Sequence, residues 1–494
     1  MTLGDVSDIE TVRKAALLLE AENQKLAREV AKLRRELHEL KGGDPEQLAL
    51  QLEGLENQLA TLRQKIFGDS SEKRPRAKTD EADSKEPQRG HGPKAQPKLA
   101  IVEQVHVSDE ADKICGACGG DLRAWDGQFE ESEEIDVIER RFVITKHKRQ
   151  KYHCRCGQCV ETAPGPVKLF AGARYSPKFA ATVAVAKYAD HLPLERQVRT
   201  MARDGLDVDS QTLWDQINAL ARILEPAQAR LHAYVLSQTA IGADETTWRL
   251  MGADGKRQGG EGKKWQTWAI VAPDAVSYKI LDSRSAAAAG EVLGGYAGTV
   301  ICDGYSAYES LRKQTGRFRL AHCWAHVRRK FVEIEAQHPQ ACGEVLDLIG
   351  RLYEVERRAQ AGPPDERLRL RQEESKPLVK KIHAWALATL ALPESGLGKA
   401  IAYMGGIWNG LQIFLDHADI AIDNNATERA LRGVVLGRKN HYGSRSRRGT
   451  EVAALFYSFI ESAKLVGVGA QTYLLTATNA ALRGAIIPLP HELT

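Results

Sequence analysis

Apolar residues recur every seven positions through residues 8–41. Val12, Leu19, Leu26, Leu33 and Leu40 fall at one position, and Ile9, Ala16, Asn23, Val30 and Leu37 fall three residues earlier. Both seam positions of a coiled coil are thus filled, and the polar member, Asn23, favours a parallel, in-register pair at some cost in stability. Flanking residues Asp8 with Arg13, Glu29 with Arg34 and Glu36 with Lys41 would be oppositely charged between chains. Leu19, Asn23, Leu26, Val30, Leu33 and Leu37 are the expected dimer contacts; the alternative is a single amphipathic helix packed on its own domain. Gly42, Gly43 and Pro45 end this helix. A second seam, Leu48, Leu52, Leu55, Leu59, Leu62 and Ile66, is one residue out of phase, so residues 1–67 read as two coiled segments with a hinge.

The pattern then changes. Residues 69–98 contain no Val, Ile, Leu, Met or aromatic residue, so the stretch 68–98 cannot bury enough surface to offset ordering and reads as a linker. Within 99–170, Ile135 to Tyr152 alternates apolar and charged residues, which predicts a hairpin. Residues 171–235 turn helical. Leu194 to Arg203 forms one helix, Gly205 a turn, and Asp209 or Ser210 caps a second helix through Trp214 and Ile217. The pair has the length and turn of a helix-turn-helix that would face Gln211, Thr212 and Asp215 to a DNA groove. A plain pair of packing helices fits the same pattern.

From 236 to 450 short apolar runs predict strands at Lys264 to Val271, Ser277 to Leu281, Thr299 to Cys302 and Phe318 to Ala321, with a helix at Ala286 to Leu293. A weaker run leads into Asp244 as a first strand. Helical stretches at 341–358, 365–390 and 397–414 exceed what a small α/β core needs, and read as an insertion over about 335–420 that covers the site. Ala453 to Leu482 reads as a closing helical pair within 451–494. The fold class is therefore multidomain α/β, with a helical insertion in the core.

Composition narrows the class. A chain of 494 residues with 43% apolar content holds several domains and a sizeable core. A net charge of +4 is only mildly basic, so nucleic-acid affinity must come from local patches. No run of eighteen apolar residues and no leader-like start is present, which predicts a cytoplasmic protein without a membrane partner. Five of the eight cysteines lie between 115 and 159. Cys115-Gly-Ala-Cys118 and Cys156-Gly-Gln-Cys159 repeat one knuckle, and four thiolates match a closed structural Zn²⁺ site. Cys154 competes for a place and stands as the alternative ligand.

Three acids carry the candidate chemistry. Asp244 and Asp303 each end an apolar run, and Glu428 opens a helix-length stretch after Asp423 and Asn424, either of which could cap it. Two strand-end aspartates and a helical glutamate can converge, and converging carboxylates need a cation to offset their repulsion. Mg²⁺ takes a few carboxylate oxygens and keeps waters, leaving room for a phosphate. A pair of such ions roughly 3.5–4 Å apart can clamp both oxygens of an in-line displacement.

The segments Ala243-Asp244-Glu245-Thr246, Cys302-Asp303-Gly304-Tyr305, His322-Cys323-Trp324-Ala325-His326-Val327-Arg328-Arg329-Lys330-Phe331 and Asp423-Asn424-Asn425-Ala426-Thr427-Glu428-Arg429-Ala430-Leu431-Arg432 resemble those of bacterial insertion-sequence transposases of the IS sixty-six family. The resemblance covers nearly the whole chain. It implies a DDE enzyme with a ribonuclease-H-like core, with Asp244, Asp303 and Glu428 as the catalytic triad holding Mg²⁺ or Mn²⁺, and small accessory proteins from the same element as partners.

Two basic clusters adjoin the acids. His326, Arg328 and Arg329 are expected beside the carboxylates, where they would hold phosphate. From Arg429 to Gly449 there are seven Arg or Lys and no acid. Arg432, Arg438, Lys439, Arg445, Arg447 and Arg448 then read as a phosphate-tracking surface attached to the Glu428 helix. The expected protein is a transposase that binds terminal inverted repeats as a homodimer or larger oligomer, cleaves the strand and joins it to target DNA. A DNA-binding repressor with an inactive core, and a structure-selective nuclease, are the alternatives.

Overall fold

The computed structural model describes residues 142–153, 160–251, 264–360 and 362–493. The coiled-coil seams, the linker and the five clustered cysteines lie outside them. Of the small module, β1 (Lys151–His153) pairs antiparallel with β2 (Val160–Thr162). Of the stretch Ile135 to Tyr152, where a hairpin is expected, 135–141 lie outside the described residues, 142–150 contain no strand, and Lys151 and Tyr152 belong to β1. Val143 and Ile144 are largely exposed there, so among the described residues 142–150 present no apolar face to a partner strand.

Three helices lead into the sheet. α1 (Pro177–Tyr188) starts with Ser176, whose hydroxyl accepts from Phe179 N at 3.2 Å. α2 (Leu194–Arg203) ends before Gly205, whose φ of +81° makes the expected turn. α3 (Ser210–Leu236) is capped by Asp209, which accepts from Thr212 N at 2.6 Å. At 27 residues it is a spine: Leu213, Ile217, Leu220, Leu224 and Leu231 are all buried in the main core. The packing alternative thus describes its inner face, while exposed Gln211 bonds Asp215 across one turn at 2.8 Å.

The sheet has five strands in the order β5-β4-β3-β6-β7. β3 (Ala240–Arg249), β4 (Lys264–Val271) and β5 (Val276–Leu281) form an antiparallel meander. Next come α4 (Ala286–Leu293), β6 (Thr299–Cys302), α5 (Ser306–Thr315) and β7 (Arg319–His322), with β6 parallel to both β3 and β7. β6 is buried along its whole length, as expected of a strand flanked on both sides.

After β7, α6 (Trp324–Val332) leads into a helical insertion of α7 (Pro339–Ala359), α8 (Pro364–Leu370), a π-turn at Arg371–Ser375, α9 (Lys376–Ala388), α10 (Gly396–Gly406) and α11 (Trp408–Leu411). Two of the helices expected here are thus interrupted, one by the π-turn and one after Gly405 and Gly406. The insertion has its own core of Val345, Ile349, Leu352, Val379, Ile382 and Met404, joined to Ile301 and Ala321 of the sheet. Inside it, Arg371 donates to both oxygens of Glu356, to Phe414 O at 2.9 Å and to His417 O at 2.7 Å. The chain leaves and rejoins the core at one point, where Trp324 N donates to Ile422 O at 3.1 Å.

α12 (Asn425–His441), α13 (Arg447–Leu465) and α14 (Ala470–Leu482) complete the fold. No single described helix is long and apolar enough to cross a membrane. Residues on both sides of the expected boundaries at 235 and 451 share one hydrophobic cluster with the sheet. These boundaries therefore separate no cores: α3 and α13 both lie against β5.

α13 also closes the edge of that strand. Ser462 Oγ accepts from Val276 N at 2.8 Å and donates to Val276 O at 3.0 Å, and Ser458 Oγ accepts from Tyr278 N at 2.9 Å. Two hydroxyls one helical turn apart match alternate N–H groups on an edge strand. Ser462→Ala should cost about 1–3 kcal/mol, since it leaves a buried N–H without a partner. A urea midpoint unchanged from wild type would mean the edge does not need this hydroxyl.

Candidate active site

Asp244 and Asp303 are placed by strand register. In the parallel ladder Gly242 stands opposite Ile301, so two residues on, Asp244 and Asp303 occupy equivalent places on one sheet face. Asp303 follows β6 directly, as expected. Asp244 does not end its strand: β3 runs on to Arg249 because β4 continues to pair with it, with Asp244 opposite Ala269. It sits instead where the parallel partner stops, which opens one side of the strand.

Glu428 lies in the first turn of α12. Asn424 precedes the helix, but its side chain does not cap it: Nδ2 donates to Ala243 O at 2.9 Å, and Oδ1 accepts from Thr427 Oγ1 at 2.6 Å. Gly242 makes this contact possible, because a Cβ there would lie 2.1 Å from Thr427 Oγ1. The helix start is thus fastened to the backbone next to Asp244. Cys323 adds a second tie, its N–H donating to Cys302 O at 3.1 Å and its sulfur accepting from Asn424 N at 3.1 Å. Burial pushes its thiol up to about 12, which suits a structural link.

Glu428 is flanked by a histidine and an arginine from α6. His326 Nε2 lies 3.6 Å from Oε1, and Arg329 lies 3.6 Å from Oε2. Burial lowers the His326 value, with the charges of Glu428 and Asp303 opposing it. Asp244 is pushed up to about 7, first by burial and then by the neighbouring charges of Glu245, Asp303 and Glu428, against a bond from Glu245 N. Asp244 therefore senses the other two acids.

Among the described residues no three His, Cys, Asp or Glu side chains are grouped closely enough to hold an ion as they stand. The donor set nevertheless fits a hard divalent cation: its atoms are carboxylate oxygens, the charges of Asp303 and Glu428 act on Asp244, and the enclosed Glu428 Oε1 has no hydrogen-bond partner. The same repulsion gives a sign for pH. Because the folded value of Asp244, about 7, exceeds an ordinary one near 3.9, the metal-free fold binds this proton more tightly than the unfolded chain. Its contribution to stability is present at low pH and is lost as pH rises through about 7. Without metal, Asp244→Asn should raise the melting temperature at pH 8 relative to wild type, with the gain shrinking steadily toward pH 4. A gain independent of pH would show that Asp244 ionises freely.

Several residues around the site had no role in the sequence reading. Glu245, on the opposite face from Asp244, is buried and pairs with Arg284 at 2.5 Å and with Tyr308 OH at 2.9 Å. The Arg284 guanidinium lies 4.0 Å from the Tyr305 ring centroid, and Tyr305 N donates to Asp303 Oδ1 at 2.8 Å. Glu245, Tyr305, Asn424 and Thr427 all lie within the motifs, and of these only Asn424 is expected to have a part, as a helix cap. Arg284 is set apart from any motif and carries no signal of its own.

The basic residues divide. Arg438 is engaged with β3, bonding Thr247 O and the hydroxyls of Thr246 and Thr247. Arg448 pairs with Glu225 at 2.5 Å and Glu451 at 3.1 Å and bonds Asn218, so it joins α13 to α3 instead of standing free for phosphate. Arg447 lies over the Trp265 ring. Arg432, Lys439 and Arg445 are exposed, and no ion pair involves them among the described residues. Arg328 is half-buried on α6.

The profile of the transposase IS66 family matches residues 172–452, and that of the zinc-finger binding domain of transposase IS66 matches residues 112–157. Among curated proteins, the chain is similar to uncharacterized protein y4jD of Sinorhizobium fredii, 32% identical over 396 residues that cover 77% of this chain and 76% of the relative. It is also similar to uncharacterized protein y4hP of the same organism, 29% identical over 400 residues that cover 76% and 71%.

Proposed function

The chain belongs to the transposase IS66 family, and from that premise we propose that it binds the ends of an insertion element, cleaves the 3′ strand there and joins the freed 3′-OH to target DNA. The observation that carries this reading is the register of Asp244 and Asp303 on adjacent parallel strands, with the Glu428 helix fastened at Ala243. We read the mixed sheet as a ribonuclease-H-like core. Asp244, Asp303 and Glu428 would hold Mg²⁺ or Mn²⁺, which when bound supplies Lewis-acid stabilisation of charge on phosphoryl oxygens.

The remaining roles fall to side chains of the protein. His326 and Arg329 stand beside Glu428 and are suited to hold the scissile phosphate. Arg432 and Lys439 on α12, Arg445 in the turn that follows it and Arg447 at the start of α13 would track the backbone without reading sequence. The coiled-coil segments would pair two chains so that two element ends are held together.

Incubating the purified protein and Mg²⁺ with DNA carrying the element's ends tests this. Cleaved 3′ ends that become joined to a second duplex support the proposal. Binding without cleavage would indicate a repressor, and cleavage without joining a nuclease.

The zinc-finger match contains Cys115, Cys118, Cys154 and Cys156 and ends before Cys159. One zinc per chain is expected by metal analysis, and Cys115→Ser or Cys118→Ser should release it. Testing Cys154→Ser, Cys156→Ser and Cys159→Ser one at a time identifies the other two ligands, and a wild-type preparation free of zinc would refute the site.

A further inference from the structure

The helical insertion touches the Asp303 loop directly. Tyr403, on α10, donates its hydroxyl to the Asp303 carbonyl. Beside it Gly304 turns the chain with a φ of +88°, and a Cβ there would lie 3.1 Å from Ile407 Cγ2 and 3.5 Å from the Tyr403 hydroxyl. Loop and helix thus meet so closely that even a methyl group there would need Ile407 to give way. Lys330 of α6 sits 5.6 Å from the Tyr403 ring centroid, and α10 is rooted in the insertion's core through Leu397, Ala400 and Met404. Asp303 is held from two directions, its carboxylate by Tyr305 N–H and its carbonyl by Tyr403.

We propose that Tyr403 is a positioning residue for Asp303, through which the helical insertion sets how tightly the three carboxylates take up a divalent cation. The physical reason lies in the peptide that joins Asp303 to Gly304. A glycine at positive φ leaves that peptide free to rotate, and the Asp303 carboxylate moves with its own backbone. A hydroxyl from a packed helix fixes the peptide plane at its oxygen. Removing it leaves the strand intact and loosens only the end that carries the charge. This inference rests on reading Asp303 as a metal-holding residue.

The test compares Tyr403→Phe with wild type in the full-length protein, by calorimetric titration with Mn²⁺ and by the Mg²⁺ dependence of strand cleavage. The metal concentration for half-saturation should rise about fivefold in both, the size of one neutral hydrogen bond. Cleavage at saturating metal should stay within about twofold of wild type, since only placement has been lost. Tyr403→Ala should shift the titration further, while Lys399→Ala, an exposed change on the same helix, should leave it unmoved. Unchanged half-saturation in Tyr403→Phe, or a lower saturated rate with unaltered metal affinity, overturns the inference. Asp303→Asn in the same titration separates the two levels: if it binds Mn²⁺ as wild type does, the reading of the site itself fails. If it loses the ion while Tyr403→Phe keeps wild-type affinity, only the role of Tyr403 is refuted.

Discussion

Asp244→Asn, Asp303→Asn and Glu428→Gln should each lower strand cleavage by more than about a thousandfold, beyond the loss from deleting a single oxyanion-hole donor. Each amide keeps the shape of the carboxylate and removes the charge that a cation requires. Asp303→Asn can still accept from Tyr305 N through its remaining oxygen, a bond now 2.8 Å long, so the loop should hold. DNA binding should persist and rise slightly, because one negative charge near the phosphates is gone. Gel-shift and cleavage assays on one substrate separate the two effects. Wild-type cleavage by any one variant would remove that residue from the triad.

Glu356→Gln should destabilise the helical insertion by about 3–5 kcal/mol, the cost of leaving one member of a buried ion pair unpaired. Both side chains are almost fully enclosed, at 1% and 4% exposure for Arg371 and Glu356. Arg371 would keep the carbonyls of Phe414 and His417 but lose its charged partner, Glu356. A double change, Glu356→Leu with Arg371→Met, removes both charges and should recover most of the loss. Urea unfolding of the three variants gives the comparison. Equal stability of Glu356→Gln and wild type would mean that the pair is hydrated in solution.

Local signals located elements well where the physics is local. Lys264–Val271, Ala286–Leu293, Thr299–Cys302 and Leu194–Arg203 were legible because each combines an apolar run or helical period with clear end residues. The length of β3 was not legible, since pairing with β4 carries it past Asp244. Over 142–150 the converse holds: alternation forms no strand where Val143 and Ile144 stay exposed among the described residues.

The site shows the same division. Its carboxylates stood out within short motifs, each with a turn or a helix start beside it. Tyr403 did not, because it reaches Asp303 from 100 positions away through an inserted helix. The basic run shows how composition reports charge but not its partner: Arg448 meets Glu225 from 223 positions away.

The junction between Trp324 N and Ile422 O has an evolutionary meaning. A segment whose two ends already touch behaves as a cassette, because exchanging what lies between them leaves the host framework's spacing unchanged. Helices can be lengthened, dropped or replaced within it while Asp244, Asp303 and Glu428 keep their relative positions. What a substitute cassette must reproduce is small: a group that pins the Asp303 peptide, and a cover for Ile301 and Ala321. Divergence among related chains should therefore concentrate inside this segment and be lowest where its ends meet the sheet.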